Sequence, residues 1–436
     1  VIADDTIAAI ATAAGVGGVG IVRVSGPRAI AIVADAIGVA DLDRRVRVAW
    51  ARDGSGDVID QVVAFAMRAP ASFTGEDVAE LHGHGGTHNL GRLLSAVVER
   101  GARLAEPGEF TRRAVLHGKL DLVRAEALLE VIHAGSERAL RLAQHNLGGR
   151  LGSTALALEQ RAHAVLAEIE GGIDFPEDDL DAKSSRWVEE ELAGLVASCA
   201  RLADGFRHGR ALGHGIVVAL VGAVNVGKSS LLNALVGKER ALVARDPGTT
   251  RDYLEVHDTW QGVAITLVDT AGTRAAPDPI EQRGIALGEE RVAGADVVVV
   301  VNDGEAPWDE GARYGARTLV VRSKADLGGD ARGALATSAT TGAGLDELRG
   351  RVLALAGVAE REGREDAFVT TARQHELAAA SRDAFTAAGE AWRARRPGEL
   401  VALDLRQGVR ALAQLRGVEV GERVLDEVFA RFCIGK

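Results

Sequence analysis

Cysteine is almost missing from this chain. The 436 residues contain two, Cys199 and Cys433. They are too few and too far apart for a disulfide framework, so the reducing cytosol is the simpler expectation. Proline is scarce as well, nine residues against 53 glycines. Few helix breakers and many permissive turns predict long helices joined by glycine-rich loops. No run of 18 apolar residues occurs, which excludes a spanning helix. The start, Val1-Ile2-Ala3-Asp4-Asp5, lacks the basic residues that precede a secretory apolar stretch, and Thr6 to Val22 is interrupted by glycines. Positive charge is in deficit, with 51 Lys+Arg against 62 Asp+Glu and a net charge of −11. That argues against indiscriminate nucleic-acid binding through overall charge and leaves a local basic patch open.

What is present is ordinary for a globular protein, 47% hydrophobic and 26% charged residues. The length allows two to four domains. Residues 1–118 alternate short apolar runs with glycine turns. Strands are expected at Gly20–Val24 and Val62–Ala66, and helices at Ala29–Ile37 and Leu90–Arg100, giving a small α+β domain. From 119 to 210 the texture becomes helical. Leu128, Leu129 and Ile132 recur at helical spacing, as do Leu151, Ala155, Leu158, Ala162, Val165 and Ile169. The same texture returns over 362–436, with Leu412, Leu415, Val424 and Val428. The pairs Gly148–Gly149 and Gly171–Gly172 are expected to break helices. Between the helical blocks, residues 211–361 carry near-continuous apolar strands at Ile216–Val221, Ala264–Val268, Val297–Val301 and Thr318–Val321. Such runs suit a parallel sheet covered on both faces. The expected fold is therefore multidomain α+β, with a Ras-like α/β nucleotide domain inserted into a helical one.

The inserted segment opens on Gly222-Ala223-Val224-Asn225-Val226-Gly227-Lys228-Ser229-Ser230. It lies between an expected strand and an expected helix, Ser230–Leu235, which is the context a phosphate-binding loop requires. Glycines let backbone N–H groups turn to the phosphates, and the helix N-terminus favours the anion. Lys228 would reach the β- and γ-phosphates and the Ser229 hydroxyl would ligate Mg²⁺. Asp269-Thr270-Ala271-Gly272 follows a strand, so Asp269 would hold Mg²⁺ through water and the Gly272 N–H would sense the γ-phosphate. Between loop and strand lies Ala244-Arg245-Asp246-Pro247-Gly248-Thr249-Thr250, where Thr250 would ligate Mg²⁺. Base choice is expected from Ser323-Lys324-Ala325-Asp326. The Asp326 carboxylate can accept from guanine N1 and N2, a donor pair adenine lacks. Ser323 stands where GTPases usually carry asparagine, which is expected to weaken contact to N7 and tethering to the phosphate loop. Ser338 and Ala339 would set a backbone N–H near guanine O6.

Ras-like enzymes place a water-orienting glutamine after Asp-x-x-Gly. Here the residue is Thr273, so another group must help or hydrolysis is poor. A monovalent cation held by Asn225 and carbonyls of Ala244, Asp246 and Thr249 would supply the missing charge between the phosphates. Asn225 as a simple turn residue is the alternative.

Taken together, Asn225 in the loop, Gly-Thr-Thr-Arg-Asp at 248–252, Asp-Thr-Ala-Gly at 269–272 and the terminal Phe432-Cys433-Ile434-Gly435-Lys436 resemble the MnmE/TrmE family of tRNA-modification GTPases. The blocks at 5–8, 17–26, 72–77, 82–86, 107–110 and 119–122 agree, so the resemblance spans nearly the whole chain. It implies a homodimer joined through N-terminal domains, each with a tetrahydrofolate site, and a flavin- and NADH-dependent partner protein. It further implies transfer of an aminomethyl-type group to C5 of the tRNA wobble uridine, with the folate supplying one carbon. GTP hydrolysis would be potassium-dependent. The folate positions it carries over are Arg23, Glu80, Lys119 and Lys436. The catalytic glutamate is Glu281, and Cys433 would lie near the folate.

Other signals carry less. Gly15-Val16-Gly17-Gly18-Val19-Gly20 fits a dinucleotide pattern but precedes a strand instead of opening a helix, so it is rejected. His82, His84 and His88 invite a metal reading that the absence of a nearby cysteine argues against. Arg393, Arg395 and Arg396 beside Trp392 would suit RNA phosphates or a solvated helix end. An Era-type ribosome-assembly GTPase and a nucleotide-gated scaffold with feeble hydrolysis remain alternatives.

Overall fold

Hydrophobic alternation along the first hundred residues builds a mixed sheet. The computed structural model describes residues 5–174, 182–236, 254–269, 291–304, 314–315, 317–329, 333–358 and 368–436. In the N-terminal part the strands are β1 (Ile7–Ile10), β2 (Gly17–Ser25), β3 (Arg47–Arg52), β4 (Val58–Met67), β5 (Val78–Gly85) and β6 (Arg103–Leu104), in the order β3-β4-β5-β2-β1-β6. Side chains alternate between the faces. Ala8, Val22, Val24, Ala64, Ala66, Ala79 and Leu81 form one buried cluster with helices α1 (Ala29–Ala36) and α2 (Thr87–Glu99). The residues between them, Ala9, Arg23, Phe65, Glu80 and His82, belong to the other face. The Gly15–Gly20 stretch enters β2, as expected for a strand and not a dinucleotide loop.

Two further helices close this unit, α3 (Glu109–Leu116) and the start of α4 (Leu122–His133). Leu122 and Ala125 pack with Leu425, Phe429 and Phe432 from the C-terminal stretch that includes α13 (Glu422–Phe429). Ile434 then bridges to Pro107, and Gly435 lies on Ile10. Strand β1 and the C-terminal stretch thus meet here. The molecule divides into two compact units, 1–129 with 416–436, and 130–415.

The second unit holds α5 (Glu137–Leu147), α6 (Arg150–Asp174), α7 (Ala182–Asp204) and α8 (Phe206–His214), then α9 (Lys228–Leu235), α10 (Leu345–Leu355), α11 (Ala372–Arg393) and α12 (Gly398–Arg416). Its sheet has β7 (Ile216–Val221), β8 (Leu254–Trp260), β9 (Val263–Asp269), β10 (Val297–Asn302), β11 (Thr318–Arg322) and β12 (Leu335–Ala336). The order is β12-β11-β10-β7-β9-β8, parallel except for the β8–β9 hairpin. All six residues of β10 are buried, as a strand covered on both faces requires. Leu142 of α5 and Ala211 and Leu212 of α8 join the core cluster of β7, so helical and strand segments share one interior.

Two details depart from the sequence reading. Gly148–Gly149 does separate α5 from α6, with Gly149 at φ 90°. Gly171–Gly172 does not break anything and lies inside α6. Ile169 and Ile173 on either side pack near Gly398 of α12, and this tertiary contact outweighs the weak helix propensity of two glycines. Strand β8 has no counterpart among the strands expected from apolar runs. It is set by a two-residue turn, Gln261–Gly262, in which both residues have positive φ, the geometry that matches strand twist in a tight hairpin.

Candidate functional site

Strand β7 ends at Val221 and the chain turns at once. Gly222 has φ +144°, and a Cβ there would lie 2.2 Å from the Val301 carbonyl oxygen, so only glycine fits between loop and β10. Asn225 (φ 66°) and Gly227 (φ 96°) also adopt left-handed backbone, and α9 begins at Lys228. The buried Lys228 Nζ donates to the Gly222 and Ala223 carbonyls at 2.8 and 2.9 Å, which holds the ammonium at the mouth of the loop. Val226 is buried beneath it, while Asn225, Ser229 and Ser230 are exposed.

The Ser229 hydroxyl donates to Asp269 Oδ2 at 2.8 Å, so the phosphate loop and the end of β9 meet as the motif order predicted. Asp269 is buried, and its Oδ1 has no hydrogen-bond partner among the described residues. A hydroxyl and a carboxylate oxygen without a partner, side by side at a phosphate loop, form a hard oxygen donor set. These residues fit Mg²⁺.

The segment expected to recognise the base leaves β11 beside the loop. Lys324 (φ 56°) donates from Nζ to the Asn225 carbonyl at 2.9 Å and pairs with Asp303 at 3.1 Å. Asp326 Oδ1 accepts from Ser338 Oγ at 2.6 Å, so the two segments expected to read guanine are bonded to each other. Ala339 follows on the partly exposed turn. Ser323 is buried, and its Oγ lies 2.5 Å from the Val226 carbonyl. The tether to the phosphate loop, expected to weaken with the loss of asparagine, is therefore retained through the shorter side chain. Ala244, Arg245, Asp246, Pro247, Gly248, Thr249, Thr250, Thr270, Ala271, Gly272 and Glu281 lie outside the described residues.

The second site is in the N-terminal sheet. Register places Arg23 of β2 opposite Glu80 of β5, and Arg23 Nε donates to Glu80 Oε1 at 2.8 Å. Glu80 Oε2 is 2.8 Å from His82 Nε2. Burial alone would raise the Glu80 pKa, but hydrogen bonds from His82 and Arg23 outweigh it and hold the carboxyl below its ordinary range. The Arg23 guanidinium lies 5.8 Å from the centroid of the Phe110 ring, which is 0% exposed, and Phe65 meets His82 edge-on. The cluster is thus a charged pair on an aromatic floor.

The other two expected folate positions do not touch this pair. Lys119 donates to the Pro70 carbonyl at 2.9 Å, beside the loop whose Thr74 and Glu76 bond Ser25 of β2. Lys436 follows Gly435, which rests on Ile10 and Ala11 at the end of β1. Among the described residues neither lysine bonds to Arg23 or Glu80. Sequence reading missed His82 and Phe110 as companions of the pair. Period-two spacing places His82 on the face of Glu80, whereas Phe110 on α3 is a tertiary contact without a local signal.

The histidines make no metal cluster. His82 serves Glu80, and His84 Nδ1 is 2.7 Å from Asp60; among the described residues no group of three ligating side chains occurs. Cys199 is buried in α7, where burial pushes its thiol up to about 12, so it is an inert core residue. Cys433 is exposed. No described helix is long and apolar enough to cross a membrane.

Comparison with known proteins places the whole chain in one family. The family model described as the GTP-binding protein TrmE N-terminus matches residues 6–119, and the one described as the MnmE helical domain matches 122–433. A Synechococcus protein named tRNA modification GTPase MnmE is 44% identical over 449 residues, covering 99% of each chain. The protein of that name from Parasynechococcus marenigrum is 44% identical over 460 residues with full coverage of both, and that from Opitutus terrae 40% over 448 residues, covering 99% of each. With identity at this level from end to end, and with the phosphate loop and the N-terminal sheet formed as described, the chain belongs to the MnmE family.

Proposed function

We propose that this chain hydrolyses GTP to drive modification of C5 of the tRNA wobble uridine, with potassium as activator and a tetrahydrofolate derivative as one-carbon donor. The observation that carries the reading is the convergence at one loop of Lys228, the Ser229–Asp269 pair and the Asp326–Ser338 pair. Residues 211–361 are read as the hydrolytic segment, inserted between helical residues 119–210 and 362–436. Residues 1–118 are read as the folate-binding and dimerisation segment.

Ser229 and Asp269, with Thr250, would hold Mg²⁺, which when bound supplies positive charge to the β- and γ-phosphates. Lys228 binds the same phosphates. Asn225 is exposed on the loop, and its amide oxygen with Ala244, Asp246 and Thr249 would hold K⁺, whose charge stands in for an arginine finger. Glu281 orients the attacking water. In the N-terminal sheet, Glu80 offers a carboxylate to the amide and amino edge of a pterin, and Arg23, Lys119 and Lys436 suit the anionic glutamate tail. A homodimer working in the cytoplasm with a flavin-dependent partner protein completes the reading.

Two measurements test it. GTP turnover should be at least about tenfold faster in K⁺ than in Na⁺, and Asn225→Ala should remove that advantage while nucleotide still binds. Glu281→Ala should bind GTP and hydrolyse it far more slowly. Equal, negligible turnover in both salts would support a nucleotide-gated scaffold instead. Nucleoside analysis of tRNA from cells lacking the chain should show wobble uridine without its C5 substituent; unchanged tRNA would overturn the assignment.

A further inference from the structure

The serine at the head of the base-recognition segment has a chemical consequence for nucleotide choice, and it rests on the guanine-nucleotide reading above. Ser323 is buried, and its hydroxyl has two neighbours within hydrogen-bond reach, the Val226 carbonyl at 2.5 Å and the Asn302 carbonyl at 3.2 Å. Both are acceptors only. A serine hydroxyl has one proton, so it donates to one of these carbonyls and has none left for a third group. The Ser323 N–H is committed as well, to the Asn302 carbonyl at 2.8 Å. Asparagine would differ here. Its side-chain amide has two N–H donors and a carbonyl, enough to hold the loop and donate to a base at the same time.

Guanine N7 is an acceptor and gains only from a donor. Among the described residues, the side chains on either side of Ser323 are directed at other groups. Lys324 directs its ammonium to the Asn225 carbonyl and Asp303, and Asp303 and Asp326 are carboxylates. The Arg322 guanidinium donates to the Gly328 carbonyl and packs against Gly304 and Gly329. We infer that in this chain Ser323 braces the phosphate loop and leaves guanine N7 unread, so that the site discriminates through the N1–N2 edge at Asp326 and accepts guanine nucleotides lacking N7.

Competition binding against a fluorescent GDP, using GDP and 7-deaza-GDP on the full chain, tests this directly. The two should bind within about twofold of each other. Ser323→Asn should restore a preference for GDP over 7-deaza-GDP of about fivefold to tenfold, the worth of one neutral hydrogen bond. Ser323→Ala should weaken both nucleotides together and leave their ratio near one, because it removes the brace and no base contact. A loss of fivefold or more for 7-deaza-GDP on the unaltered chain would overturn the inference while leaving guanine recognition intact. Failure of GDP itself to compete would instead remove the guanine-nucleotide reading and this inference with it.

Discussion

Glu80 shows how much of a site rests on the balance at one carboxylate. Its burial disfavours charge, and two donors, His82 and Arg23, more than compensate, so its folded pKa lies below the ordinary 4.5. A carboxyl lowered on folding contributes stability that is fully present above its unfolded pKa and is lost as pH falls through the folded value. Glu80→Gln should therefore cost about 2 kcal/mol at pH 7, since hydrogen bonds to a charged group are lost. The gap to the parent should narrow as pH falls from 4.5 and close as it passes the lower folded value, where the parent carboxyl also protonates. Urea denaturation of both proteins across that range measures it, and a gap independent of pH would assign Glu80 a purely steric role. The family resemblance made Arg23 and Glu80 visible as candidates. It could not show that they are cross-strand partners 57 residues apart in sequence, because register is decided by the burial of the opposite face.

Among elements, periodicity was informative wherever one face is buried and misleading where packing overrides propensity. Strands β7, β9, β10 and β11 stand where their apolar runs predict them, because a parallel sheet covered on both sides tolerates few polar positions. Strand β8 alternates polar and apolar residues and is a strand through its hairpin with β9, a signal confined to the turn. Helix α6 is the converse case. Gly171 is exposed within it, and a Cβ added there would meet nothing within 4 Å. Gly171→Ala should therefore stabilise the protein by about 0.5–1 kcal/mol, the backbone entropy a helical glycine forfeits, without touching a contact. Thermal unfolding would register it as a modest rise in midpoint. A fall would mean that this part of α6 is held in a backbone geometry an alanine cannot adopt.

At the scale of the molecule, the chain leaves its N-terminal unit after residue 129 and returns to it at residue 416. The phosphate loop and the segments proposed to read guanine could be read from sequence because each is a short contiguous motif. The return of the C-terminal stretch could not, because no local pattern states that Gly435 will rest on β1. The approach is tight. Gly435 has φ +95°, and a Cβ there would lie 2.2 Å from the Ile10 carbonyl oxygen, a backbone atom that cannot step aside as a side chain can. Gly435→Ala should thus lift the last residues off β1 and carry Lys436 with them. If Lys436 binds the folate tail as proposed, affinity for a tetrahydrofolate derivative should fall about tenfold or more, as expected for a lost charge-assisted contact. GTP turnover, which belongs to the other unit, should stay near the parent value. Calorimetric titration with the folate beside a GTPase assay separates the two readouts. Unchanged folate affinity would remove Lys436 from the site, whereas a parallel loss of GTP turnover would show that the C-terminal stretch supports the whole chain and not the folate alone.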